Sequence, residues 1–103
     1  MNPPRAVDKS EIGIIDAITE FINTNALSNK SLWRVGISDN PSMDLFTRHG
    51  LSRENDHYIW RQAESSGDAR IIYNEMVISG CLSDGTTLGT DAIYVYVFLM
   101  PAR

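Results

Sequence analysis

Nine consecutive residues near the C-terminus, Ala92 to Met100 (AIYVYVFLM), carry no charge and almost no polar group. β-Branched and aromatic residues follow one another through Ile93, Tyr94, Val95, Tyr96, Val97 and Phe98, a composition suited to a strand. The run is about half of the ~20 residues that a membrane-spanning helix needs. Such a strand has no face to give to water, so it lies in the middle of a covered sheet or pairs across an interface. The rest of the chain has to be arranged around it.

At 103 residues, 43% hydrophobic and 21% charged, the chain carries the apolar material for one modest core. We expect a single domain over residues 1–103, with residues 1–7, including Pro3 and Pro4, as a loose tail. Met1 to Asp8 lacks the apolar centre of a secretory signal. The single Cys81 has no partner for an internal disulfide and no neighbouring ligands for a zinc site, so it reads as a small buried thiol. A soluble, cytoplasmic protein with no membrane association is the expectation.

Net charge is -4, and the nine basic residues are spread along the chain. No block of positive charge marks a duplex-binding surface. Five arginines, Arg34, Arg48, Arg53, Arg61 and Arg70, lie in the middle of the chain, interleaved with Asp39, Asp44, Glu54, Asp56, Glu64, Asp68 and Glu75. Both structural carboxylate pairs and a local cationic face are open to them.

Asp8 and Glu11 have capping-box spacing, and Ile14, Ile15, Ile18, Phe21 and Ile22 recur at helical intervals, so a first helix runs from there to Asn23-Thr24-Asn25. Residues 25–31 form a polar connection with Leu27 as its anchor. Leu32, Trp33, Val35 and Ile37 make a β-prone run that ends at Ser38-Asp39-Asn40-Pro41. Pro41 suits the first helical position, with Asn40 or Asp39 capping, and Gly50 suits the left-handed end of a short helix over 41–49. Tyr58 to Ala63 reads as a strand. Asp68 caps a further helix with Ala69, Ile72, Tyr73, Met76 and Val77 on one side, ending at Gly80. Residues 83–91 are a Gly-, Ser-, Thr- and Asp-rich loop that lacks the lysine and helix start of a P-loop. Trp33 and Trp60 are expected to pack the sheet against the first helix, with Met43 and Met76 filling the core. The fold class is therefore α/β (α+β), a small sheet of about three strands packed by three helices.

Trp33-Arg34-Val35-Gly36-Ile37-Ser38-Asp39-Asn40-Pro41, followed by Leu45 and then Arg48-His49, resembles the second strand and first helix of the GIY-YIG nuclease superfamily. Trp60 in a short strand, then Asp68-Ala69-Arg70 opening a helix that ends at Gly80, is similar to the next strand and helix. The resemblance covers about residues 32–82. It implies a fold that cuts phosphodiesters with a strand tyrosine, a helix arginine and a helix glutamate holding a divalent metal such as magnesium. Those groups would assist proton transfer, stabilise phosphate charge and fix the metal.

Carried over residue by residue, the tyrosine slot holds Arg34 and the arginine slot holds Asp44. Arg48 stands one helical turn further on, with His49 beside it. The glutamate slot falls near Tyr73, and Glu75, two residues away, turns about 200° from that face. The family's first strand has no local counterpart before Trp33. The segment from Ile93 to Val97 would take its place beside Trp33 to Ile37, bringing Tyr94 or Tyr96 to the cleft.

Three readings follow. In the first, a catalytically degenerate GIY-YIG-like module binds nucleic acid through Arg34, Arg48, Arg53 and Arg61, or binds a protein partner, without cutting. In the second, a divergent metal-dependent nuclease uses Tyr94 or Tyr96 with Arg48, His49 and Glu75, the last as metal ligand. In the third, the apolar strand pairs two copies of the chain into a homo-oligomer. His49 and His57 read as surface or capping residues, each also a candidate base or ligand. Asp44, taken as a helix-surface residue, should accept arginine with a stability change below ~0.5 kcal/mol.

Overall fold

The computed structural model describes residues 10–25, 29–85 and 91–101. Its centre is strand β4 (Tyr94–Leu99), formed by the apolar run. On one side β4 pairs antiparallel with β1 (Trp33–Ser38), and on the other with β2 (Tyr58–Gln62). A two-residue strand, β3 (Leu82–Ser83), lies parallel to β1 and completes the order β2-β4-β1-β3. The sheet has four strands instead of about three, because the segment leaving the last helix through Gly80 (φ 124°) runs alongside Arg34 and Val35. Both edges of β4 are occupied within the chain. That strand has no open edge for a second copy of the chain.

Alternation along β4 divides the molecule into two cores. Val95 and Val97, with Trp33, Val35, Ile37 and Ile59, face helices α1 (Glu11–Thr24) and α3 (Ser66–Ile78). Ile14, Ile18 and Ile22 of α1 are wholly buried there, as are Ala69, Ile72 and Met76 of α3. Each large aliphatic chain buried in this way contributes about 1.5–3 kcal/mol relative to exposure. Tyr96 and Phe98 point the other way and are covered by Leu45 and Leu51. Those two belong to the segment that follows β1: helix α2 (Pro41–Met43), continued over Asp44–Arg48 by a wider π turn.

The π turn is visible in its hydrogen bonds. His49 N donates to Asp44 O at 2.9 Å and Leu51 N to Leu45 O at 3.0 Å, and Gly50 closes the turn at φ 69°. Asn40 caps α2 by accepting from Met43 N, with Pro41 in the first helical position. π Bulges of this sort spread the side chains of a helix end and often mark working sites. Here the bulge sends Arg48 and His49 toward the sheet.

The other helix starts differ from the expected ones. Ser10, not Asp8, accepts from Gly13 N at the start of α1, and Asp8 lies outside the described residues, as does Leu27. Ser65 caps α3 by accepting from Asp68 N, which makes Asp68 a first-turn acid and not the cap. Serine at N-cap serves the same orphan amides as aspartate, so the helices begin close to where expected. Trp33 packs edge-on against Phe21 of α1, ring centroids 5.8 Å apart. Trp60 does not join it: it lies opposite Tyr96 on the α2 side, stacked beside Tyr58 and edge-on to Phe46. Met76 fills the core, but Met43 is 54% exposed.

Candidate functional site

On the α2 face, Gly36 of β1 stands directly opposite Tyr96 of β4. A Cβ at Gly36 would come within 2.5 Å of both Tyr96 Cζ and Asp84 Oδ2. Only glycine lets the phenol lie across β1 in this way. The Tyr96 hydroxyl thereby reaches past the strand and donates to Asp84, immediately after β3. Asp84 is itself tied down by its amide, which donates to Val35 O at 3.0 Å.

Arg48 and His49 meet the same two groups from above. Arg48 Nη2 donates to Tyr96 Oη at 2.7 Å and to Asp84 Oδ2 at 3.0 Å, and His49 Nε2 lies 3.0 Å from Asp84 Oδ2 and 3.5 Å from the phenol oxygen. The Asp84 side chain is wholly buried, which is tolerable for a carboxylate only with such a set of donors around it. The His49 ring is held against Phe98, centroids 4.5 Å apart, and is 18% exposed.

Arg48 is also anchored from behind. Its Nε donates to Asp44 Oδ1 at 2.9 Å, while Asp44 Oδ2 accepts from the Ser38 hydroxyl at the end of β1. Burial by itself lowers the Arg48 pKa. The hydrogen bond to Asp44 and the neighbouring Tyr96, Asp84 and Asp44 outweigh it, so the guanidinium stands above its ordinary value and stays charged. One edge of the guanidinium is thus fixed to protein. Its Nη1 makes no hydrogen bond among the described residues, and the side chain is 44% exposed.

Beside this cluster is a cleft of about 180 Å³ walled by Arg34, His49, Asp84, Phe98 and Met100. Arg34 Nη1 has a long, 3.5 Å hydrogen bond to Ser83 O, and its buried Nε has no partner. Arg34 and His49 therefore border one small space, with Arg48 beside it on the Asp84 carboxylate. Among the described residues, no group of three or more His, Cys, Asp or Glu is placed to hold a metal ion.

The structure sorts the residues singled out by sequence. Tyr96, Arg48 and His49 come together, and Arg34 joins them across the cleft. Tyr94 is on the same face but opposite Ser38 and Gln62, about 7 Å further along the strand. Glu75 is exposed on α3, beyond the sheet, where its charge, after a hydrogen bond from protonated Glu11 to Asp68, desolvation and the Asp68 charge, helps raise the Glu11 pKa. It cannot meet Tyr96, because α3 turns Ala69, Ile72, Tyr73 and Met76 inward and leaves position 75 outside.

Arg53 and Arg61 also stay apart from the cleft. Arg53 lies over the Phe46 ring, 3.9 Å from its centroid, and donates to Ser42. Arg61 is opposite Val95, on the α1 and α3 side, with Nη1 bonded to Trp60 O. The four arginines do not form one surface. His57 takes a backbone role, its carbonyl accepting from Leu99 N.

Asp84 is the central residue that sequence reasoning missed. It falls in a stretch whose composition reads as loop, and Arg48, His49 and Tyr96, which it meets, are distant in sequence. In the fold the Tyr73 hydroxyl donates to Ser83, the residue before Asp84. Comparison with known proteins returned no match: no family model, curated protein or solved structure is similar to this chain.

Proposed function

We propose that the chain is a nucleic-acid-binding domain of GIY-YIG-like descent that holds a backbone phosphate in the cleft walled by Arg34 and His49, with Arg48 beside it. The carrying observation is the state of Arg48. A guanidinium clamped on one edge by Asp44, Asp84 and Tyr96, and open to water on the other, has already lost the side-chain entropy that anion binding would otherwise cost. Arg34 supplies a second donor on the cleft wall, since among the described residues its Nη1 is held by a single long hydrogen bond to Ser83 O. With a net charge of -4, affinity has to come from these fixed donors and not from a broad positive field.

The metal-dependent reading requires Glu75 in the cleft, and Glu75 is on the far side of the sheet. Binding has no such requirement. The test is fluorescence anisotropy at low salt with labelled single-stranded DNA, single-stranded RNA and duplex DNA. Binding that weakens about tenfold or more in Arg48→Ala and in Arg34→Ala, with both variants folded, is the expected result; a charge-assisted hydrogen bond to phosphate is worth about that much. Absence of binding to all three probes, or binding unchanged in both variants, would sink the proposal.

A further inference from the structure

We infer that the cleft cleaves RNA by transesterification, with His49 as the base that activates a ribose 2′-hydroxyl. This rests on the phosphate-binding reading above and extends it to a substrate class, single-stranded RNA, and a chemistry.

The tautomer of His49 follows from its partner. A buried carboxylate accepts and does not donate, so the Nε2 that faces Asp84 Oδ2 at 3.0 Å carries the hydrogen. Nδ1 of the neutral ring then holds a lone pair, and it has no hydrogen-bond partner among the described residues. Base, orienting carboxylate and phosphate-stabilising arginine thus stand together, in the relationship that acid-base chemistry at a phosphate needs. Tyr96 is less suited to take a proton, since its own hydroxyl is already donated to Asp84 and receives Arg48.

The identity of the nucleophile follows from what the carboxylates are doing. Asp84 is wholly buried under Arg48, His49 and Tyr96, and Asp44 is bonded to Arg48 and Ser38, so neither carboxylate is open to position an attacking water. A nucleophile already attached to the substrate needs no such positioning. The 2′-hydroxyl of RNA, adjacent to the phosphorus, is that nucleophile. His49 Nδ1 takes the 2′ proton as the O2′–P bond forms and the P–O5′ bond breaks. The leaving 5′ oxygen recovers the proton from the imidazolium through water. The products are a 2′,3′-cyclic phosphate and a 5′-hydroxyl, with no net consumption of water. Arg34 on the cleft wall, and Arg48 beside it, stabilise the charge that builds on the phosphoryl oxygens.

The experiment uses the full chain and a labelled single-stranded RNA of mixed sequence, in EDTA, at saturating protein. Gel analysis reads the cut and the chemistry of its ends, and anisotropy reads binding in the same buffer. Cleavage leaving cyclic phosphate ends, slowed about a hundredfold or more in His49→Gln, is expected. Should His49→Gln misfold, the substrate carries the same test: one 2′-deoxynucleotide at the mapped cut site should abolish cleavage there. RNA that is bound but left whole overturns this inference and leaves the binding reading standing. RNA that is not bound overturns both. Equal cutting of an all-deoxy strand overturns the assignment of the 2′-hydroxyl.

Discussion

The phenol of Tyr96 lies across Gly36, its partner on the adjacent strand, and donates to the carboxylate of Asp84 beyond it. This places a helix pair, Arg48 and His49, and the residue after β3 in contact through one hydroxyl. Aromatic cover of a strand glycine is a common means of fixing register. Here it also assembles the cleft.

Gly36→Ala should therefore act on both fold and site. Its methyl group would meet Tyr96 and Asp84 well inside normal contact, and neither can move away without breaking the cluster. A loss of about 1–3 kcal/mol is expected, as for overpacking elsewhere in protein interiors. Urea unfolding should show it, and nucleic-acid binding should fall with it. Wild-type stability in Gly36→Ala would mean that the phenol does not occupy this place.

Tyr96→Phe keeps the ring and removes only the hydroxyl. Asp84 then loses a donor and Arg48 an acceptor, at a cost of about 1–3 kcal/mol for a buried charged partner left under-satisfied. The double variant Gly36→Ala/Tyr96→Phe should be less destabilised than the sum of the two, because both act on the same contact. Strict additivity in thermal or urea melts would refute that coupling.

Asp44 reverses an expectation drawn from sequence. As a helix-surface residue it should accept arginine at almost no cost, yet its side chain is only 17% exposed and joins Ser38 to Arg48. Asp44→Arg should instead destabilise by about 1.5–3 kcal/mol, since it removes two hydrogen bonds to or from a charged group and sets a cation beside Arg48. Ser38→Ala should cost less, about 1 kcal/mol. Chemical denaturation of the two variants decides it: an Asp44→Arg midpoint equal to wild type restores the surface reading.

That reversal illustrates what was legible in the sequence. Local patterns carried well: the strand from Trp33, the proline-started and glycine-ended helix after it, the stripe of α1 and the central place of β4 all follow from period, caps and hydrophobicity. The place of β4 beside β1 came from the resemblance, whose missing first strand Ile93 to Val97 would replace, and the structure has that pairing. Asp84 and the role of Asp44 were not. Asp84 meets Arg48 across 36 residues and His49 across 35, and nothing in a stretch of Gly, Ser, Thr and Asp announces such a meeting. The two-residue β3 is similar, because its register is fixed by β1 and not by its own side chains.

Cys81 offers a test of the other core. The residue is 2% exposed, and burial pushes its thiol up from 9.0 to about 11, against a smaller downward pull from Lys30. Folding thus favours the protonated thiol. Its contribution, on the order of 3 kcal/mol, is fully present below pH 9 and fades as pH rises toward about 11. Iodoacetamide at pH 8 should label the native protein far more slowly than the unfolded chain, and stability should decline over that alkaline window. Rapid labelling of native protein would show that the segment between α3 and β3 opens readily.

The salt dependence of binding separates a fixed two-arginine clamp from diffuse attraction. If Arg34 and Arg48 together neutralise one phosphate of a single strand, the logarithm of the association constant should fall with that of salt concentration with a slope of about -0.7. Arg48→Ala should flatten that slope, whereas Arg61→Ala, whose guanidinium is bonded to Trp60 O on the opposite face, should leave it unchanged. Anisotropy titrations between low and moderate salt give these slopes directly. A steeper wild-type slope that drops equally in Arg48→Ala and Arg61→Ala would locate the phosphate contacts outside the cleft. The cleft predicts instead that position, and not the number of arginines in the chain, decides which substitutions matter.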